Sequence, residues 1–134
     1  MCIRDRYNAI EIAAGRSTMT MAGQAVYRWA TGEMAPVAVE ACRRAGVALE
    51  DIAAFVPHQA NLRIIDSLAK RIGLPNAIVA RDIVTSGNTS AATIPIALRV
   101  AADAGRLEPG ARVLLGAFGA GFTWGASVID WGAA

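Results

Sequence analysis

The chain has 134 residues, enough for one domain or for half of something larger. Its 54% hydrophobic and 18% charged residues exclude a disordered segment; so high an apolar share fits either a compact alanine-rich domain or a piece normally covered by a further domain or subunit. A net charge of +2, without an arginine tract or basic residues interleaved with aromatic ones, excludes an argument for nucleic-acid binding.

The first six residues, Met1-Cys2-Ile3-Arg4-Asp5-Arg6, read like the translation of a sequencing-library adaptor. On that reading residues 1–6 are a non-native leader, Met1 is not a biological start, and residues 7–134 come from the interior of a truncated gene. The N-terminus has no apolar signal segment. Residues 7–20 read as the remnant of a strand or loop leading into Met21-Ala22-Gly23. Alanine-rich patterns predict helices over 24–30 and 36–45, the second with Pro36 in its first turn and Gly46 as its stop. Glu50 and Asp51 then precede an apolar strand at 52–56 that ends at Pro57.

Residues 61–72 give the clearest amphipathic pattern. Leu62, Ile65, Leu68, Ala69 and Ile72 recur on one helical face, with Arg63, Asp66, Ser67 and Lys70 opposite. Gly73 and Pro75 stop that helix, and a short strand at 77–80 follows. After the polar loop Thr85-Ser86-Gly87-Asn88-Thr89-Ser90, residues 90–104 read as a helix stopped by Gly105, with Pro95 close to its first turn. Glu108-Pro109-Gly110 is a turn. Residues 112–118 and 122–131 then read as strands of an antiparallel hairpin across Gly119-Ala120-Gly121. The uncharged run 113–129 is shorter than the ~20 residues of a spanning helix and is broken by glycines. Strands alternating with helices predict an α/β layered sheet.

Two features carry chemistry. His58, the chain's one histidine, follows a buried strand and precedes a helix, the place where α/β sheets keep their reactive groups. Taken alone, it reads more readily as a satisfied structural residue than as a catalyst. Asn88 lies in a second polar loop thirty residues on; alone, Gly87-Asn88 reads as a turn with residues suited to left-handed backbone. Cys2 and Cys42, with one histidine, have no metal-ligand spacing, so free thiols in a reducing cytosol are expected. Gly119-Ala120-Gly121 lacks the G-x-G-x-x-G pattern and precedes a strand, which argues against a dinucleotide site. A serine hydrolase using His58 with Ser86 or Ser90 lacks a G-x-S-x-G elbow.

Four motifs in order resemble the β-ketoacyl-acyl-carrier-protein synthase III family of thiolase-like condensing enzymes. They are Met21-Ala22-Gly23-Gln24, His58-Gln59-Ala60-Asn61-Leu62-Arg63-Ile64, Gly87-Asn88-Thr89-Ser90-Ala91-Ala92 and Phe118-Gly119-Ala120-Gly121-Phe122-Thr123-Trp124-Gly125. The resemblance covers residues 16–132 and implies the C-terminal half of a five-layer αβαβα enzyme, a mixed sheet packed between helices. It implies decarboxylative condensation of an acyl-coenzyme A primer with malonyl-acyl carrier protein at the start of fatty acid synthesis. His58 and Asn88 would donate hydrogen bonds to the thioester carbonyl of the malonyl group, stabilising the enolate left by CO2. No carboxylate base is needed, and His58 would act neutral with Nε2–H as donor. The Ala120 backbone N–H would join the nucleophilic cysteine's own N–H in an oxyanion hole, where relatives often carry glycine.

The same resemblance implies that Gly23, Gln24, Tyr27, Ala60, Asn61 and Ile64 line the pantetheine tunnel. Asparagine is common in place of Gln24 and phenylalanine in place of Tyr27. Arg63 and Arg28, with Lys70 and Arg71, would form a basic patch for an acidic carrier protein; a solvated helix face with an Asp66–Lys70 pair is an equal reading for Lys70 and Arg71. Coenzyme A enters as substrate, and no cofactor or metal is expected. The implied whole is a cytoplasmic homodimer. Its nucleophile is not expected in this chain, since Cys42 sits on a helix beside Arg43 and Arg44 and Cys2 belongs to the leader. Alternatives are a condensing enzyme of polyketide, quinolone or olefin type, or a non-catalytic module binding carrier protein or coenzyme A.

Overall fold

The computed structural model describes residues 10–11 and 20–132. The expected leader at 1–6 and most of the segment 7–20 lie outside them. What is described there is a short antiparallel pair, β1 (Ile10–Glu11) with β2 (Thr20–Met21).

One long helix, α1 (Gly23–Ala45), replaces the two shorter ones read from the sequence. Pro36 therefore sits inside a helix rather than in a first turn. Packing overrides the breaker: Val26, Trp29, Ala30, Met34, Ala35, Ala38 and Cys42 form one continuous buried stripe. Pro36 and Gly32, whose carbonyl loses its N–H partner, both lie on the exposed side where water replaces the bond. The helix ends as expected, at Gly46 in left-handed backbone with φ 67°.

A 3-10 turn at Leu49–Asp51 leads into β3 (Ala54–Pro57), two residues later than the apolar run suggests. All four β3 residues are buried, as befits a central parallel strand covered on both faces. Helix α2 (Leu62–Ile72) follows, with Asn61 as N-cap: its side chain accepts the Arg63 N–H at 2.9 Å. Replacing Asn61 by alanine should cost about 1 kcal/mol in chemical denaturation, the worth of such a cap. The buried face of α2 is Ile64, Ile65, Leu68 and Ile72. Leu62 is exposed instead, because at the first helical position it lies beyond the edge of the sheet-facing stripe.

The short strand β4 (Ile78–Val79) is followed by α3 (Ile83–Ser86), a single helical turn that the polar-loop reading missed. Another 3-10 turn, Ser90–Ala92, runs into α4 (Thr93–Asp103), with Gly105 in left-handed backbone just past its end. The hairpin β5 (Arg112–Gly119) and β6 (Thr123–Asp130) closes across Ala120–Phe122 in full register from Arg112↔Asp130 to Gly119↔Thr123. Strand order is β4-β3-β5-β6: β3 is parallel to both β4 and β5, and β6 is antiparallel to β5.

The result is an α/β layer with a mixed sheet between helices. Period-2 alternation sorts the two faces. Phe55 and Leu114 point to the side packed by α1 and α2, where Trp29, Met34, Ile52 and Leu68 complete the core. Ala54, Val56 and Val113 point to the side packed by Ala97 and Leu107 from α4 and the segment after it. Trp124 packs on the first cluster and Trp131 on the second. Among the described residues no helix is long and apolar enough to cross a membrane, and the uncharged run 113–129 is the β5–β6 hairpin.

Candidate active site

The C-terminal end of β3 opens onto a cavity of about 1180 Å³. Its wall combines residues from the α1 N-terminus, the β3–α2 connection, the loop before α4 and the β5–β6 turn. His58, Asn88, Ala120, Gly23, Gln24, Tyr27, Ala60, Asn61, Ile64, Arg63 and Arg28, singled out from the sequence, all line it. Lys70 and Arg71 do not. They occupy the last turn of α2, far along the helix from the cavity. Asp66 pairs with Arg81 at 2.9 Å rather than with Lys70, an exposed contact that adds little stability.

His58 is fixed by both backbone and side chain. Its N–H donates to the Gly116 carbonyl at 2.7 Å, extending the β3–β5 ladder by one bond. Its Nδ1 lies 2.6 Å from Thr93 Oγ1, at the first residue of α4. The Phe118 ring meets the imidazole edge-on at 5.5 Å. Half-burial without a charged partner pushes the imidazole below its ordinary value of 6.5, because desolvation penalises the imidazolium. His58 is therefore neutral at pH 7.

Asn88 is exposed and lines the same cavity. Its Oδ1 accepts the Ser90 N–H at 2.9 Å, which turns the amide NH2 group away from that bond. The left-handed residue that shapes this loop is Ser90, with φ 57°, together with Gly87 at φ 70°; Asn88 itself is not left-handed, contrary to the turn reading. The Asx-type bond from Asn88 to Ser90 supports that backbone locally. At the cavity's third corner, Ala120 precedes Gly121 at φ 75°, and Thr123 Oγ1 donates to the Ala120 carbonyl at 3.2 Å.

The apolar side of the cavity rests on an aromatic cluster. Trp29 meets Phe122 at 4.3 Å, Trp124 at 5.5 Å and Phe118 at 6.0 Å, all edge-to-face. Arg63 lies over the Tyr27 ring at 5.9 Å, which tethers a cation at the rim. Cys42 is 1% exposed within the α1 core, its thiol pushed up by burial, and it is not part of the cavity wall. Among the described residues no group of His, Cys, Asp or Glu side chains is placed to hold a metal ion.

Sequence reasoning missed three residues. Thr93 contacts His58 and was readable only as a helix-start hydroxyl just past the Asn88 motif. Phe118 was quoted within a motif without its ring contact to His58. Gln59 is fully buried, and its Nε2 donates to the Pro57 carbonyl at 2.7 Å and the Ala80 carbonyl at 3.3 Å while its Oε1 accepts the Ile83 N–H at 3.1 Å. A glutamine between His58 and a helix gives no outward sign of such a role.

Comparison with known proteins places these features in a family. The profile described as the C-terminal domain of 3-oxoacyl-[acyl-carrier-protein (ACP)] synthase III matches residues 42–131. A β-ketoacyl-[acyl-carrier-protein] synthase III from Streptomyces coelicolor is 47% identical over 122 residues, which are 91% of this chain and 39% of that protein. One from Kocuria rhizophila is 53% identical over 114 residues, 84% of this chain and 32% of the relative. The solved structure of the Thermus thermophilus synthase III superposes with a TM-score of 0.87 at 42% identity, covering 97% of this chain and 44% of that one. A priming β-ketosynthase of the R1128 polyketide pathway superposes at 0.90 with 36% identity, covering 94% and 41%. The chain thus spans well under half the length of the relatives it matches. With the sheet order, the cavity and these matches taken together, the chain belongs to the β-ketoacyl-[acyl-carrier-protein] synthase III family and corresponds to its C-terminal, thiolase-like portion.

Proposed function

We propose that this chain supplies the decarboxylation half of a β-ketoacyl-acyl-carrier-protein synthase III active site. The observation that carries the reading is that His58 and Asn88, from separate elements, line one cavity. Each has one polar atom already engaged, Nδ1 by Thr93 and Oδ1 by Ser90, so His58 Nε2 and the Asn88 NH2 group remain for a ligand. Two such donors stabilise the oxyanion that develops on a malonyl thioester as CO2 leaves. A neutral histidine suits that task. The Ala120 N–H serves the acyl-loading step, and the nucleophilic cysteine comes from the rest of the enzyme.

Gly23, Gln24, Tyr27, Ala60, Asn61 and Ile64 form the pantetheine channel, and Arg28 and Arg63 meet an acidic carrier protein at its mouth. Coenzyme A is a substrate in this reading, and no resident cofactor takes part. A homodimeric, cytoplasmic whole enzyme is the natural assembly for it. The R1128 priming ketosynthase supports a second reading, in which the same site chemistry primes a polyketide. The two differ in the acyl primer, so competition between acetyl- and longer acyl-coenzyme A on the enzyme with its own upstream half separates them.

The test joins this chain to the N-terminal portion of the Streptomyces coelicolor relative. The assembled enzyme should release CO2 from malonyl-carrier protein in a primer-dependent way. The chain alone should take up no acyl group from acetyl-coenzyme A by mass spectrometry, because Cys42 is buried and its thiol is protonated. An acylated Cys42, or an assembled enzyme that loads primer without ever decarboxylating, would refute the reading.

A further inference from the structure

We propose that Thr93 is a positioning residue that donates its hydroxyl hydrogen to His58 Nδ1, locking the imidazole in the Nε2–H form and tying it to the Asn88 loop. The inference rests on the decarboxylation reading above and adds to it the device that selects the tautomer.

Thr93 is 1% exposed, and its hydroxyl stands between two groups, His58 Nδ1 at 2.6 Å and the Ser90 carbonyl at 2.9 Å. A hydroxyl carries one hydrogen and the Ser90 carbonyl can only accept, so two arrangements are possible, of which only the second keeps the side-chain bond to Ser90. In the first, Thr93 donates to Nδ1 and the imidazole hydrogen is on Nε2. In the second, Nδ1–H donates to Thr93 and the hydroxyl donates to Ser90, leaving Nε2 bare toward the cavity. The two have opposite consequences, because only the first offers a neutral donor to an oxyanion.

Two observations favour the first arrangement. The Ser90 carbonyl already accepts the Thr93 backbone N–H, so it does not depend on the hydroxyl. Thr93 is also the first residue of the eleven-residue helix α4, so Nδ1 faces the positive end of a helix dipole. That field favours a lone pair at Nδ1 over a hydrogen. The same field adds to desolvation in keeping the ring neutral.

The link is also mechanical. Thr93 follows Asn88 by five residues through the strained Ser90, and α4 begins at Thr93. One hydroxyl therefore sets the distance between the strand end that carries His58 and the loop that carries Asn88.

Nitrogen-15 NMR of the assembled enzyme, labelled in its histidines, reads the tautomer directly, with His58 identified by the signals lost in His58→Gln. The parent should show Nε2 protonated and Nδ1 bare. Thr93→Val, of the same shape, should move His58 to the Nδ1–H form or a mixture. It should lower malonyl decarboxylation about tenfold, the worth of one such hydrogen bond, while acyl loading is kept. Thr93→Ser should restore both the tautomer and the rate. A parent protonated at Nδ1 overturns the proposal whatever the variants do, and so does a Thr93→Val enzyme with an unchanged tautomer. If Thr93→Val fails to fold, the parent spectrum and the serine variant still decide. His58→Ala that decarboxylates at the parent rate defeats the enolate reading itself, independently of the tautomer found.

Discussion

Replacing His58 by alanine in the assembled enzyme should cut malonyl decarboxylation by roughly 100- to 1000-fold, the usual loss for one oxyanion donor, about 2.7–4 kcal/mol. Loading of the primer onto the cysteine should suffer much less, since that step depends on the backbone N–H near Ala120. Asn88→Ala should show the same asymmetry. The double variant should lose less than the product of the two single losses if both groups serve one oxygen. Single-turnover loading and decarboxylation, measured separately, give the comparison. The pH profile supplies a further check. Neutral His58 is the active form and burial holds its ionisation below 6.5, so decarboxylation should persist as the pH falls to 6.5 and decline only below it. Loading that collapses in parallel with decarboxylation, or an acid limb above pH 6.5, would instead make His58 a base for the cysteine.

This asymmetry explains why the site could be read from residues at all. His58 and Asn88 sit where the chain leaves its regular elements, and each is bracketed by motif residues of fixed spacing. Local chemistry there is written locally: Asn61 caps α2, Gly46 and Gly73 end helices, and Gly121 turns the hairpin. The errors have the opposite origin. Helix α1 runs through Gly32 and Pro36 because its buried stripe packs on β5, β6 and α2, and no window of sequence contains that packing. Periodicity places Leu62 inward, yet the side chain is exposed. Asp66 found Arg81 across a loop instead of Lys70 along its own helix. Thr93 and Gln59 matter through partners far away in sequence, His58 for the one and Ala80 and Ile83 for the other. Such tertiary hydrogen bonds leave no periodic trace.

Gln59 gives the second large effect, and it bears on how the two donors are held in register. Its amide joins the end of β3, the residue after β4 and the start of α3, the turn that leads to Asn88. The Ile83 N–H must face Oε1, so Nε2 faces the two carbonyls of Pro57 and Ala80. Gln59→Glu keeps the acceptor for Ile83 but sets a carboxylate oxygen against two carbonyl oxygens in a fully buried site. At pH 7 this should cost on the order of 3 kcal/mol and lower the Tm of the assembled enzyme by several degrees. Protonated, the new carboxyl can donate to one of those carbonyls, so its folded-state ionisation is raised above the ordinary ~4.3. The folded protein then holds more protons than the unfolded chain above that value. Stability relative to the parent should accordingly be nearly recovered near pH 4 and fall as the pH rises. Gln59→Leu should lose stability by a similar amount at every pH, because it strands the two carbonyls and the Ile83 N–H without adding a charge. The sharper consequence lies in the site: both variants should loosen the Asn88 side of the cavity and depress decarboxylation while the His58 tautomer stays unchanged. A glutamate variant that matches the parent at pH 7, or whose loss does not vary with pH, would show that the amide does not bridge these strands.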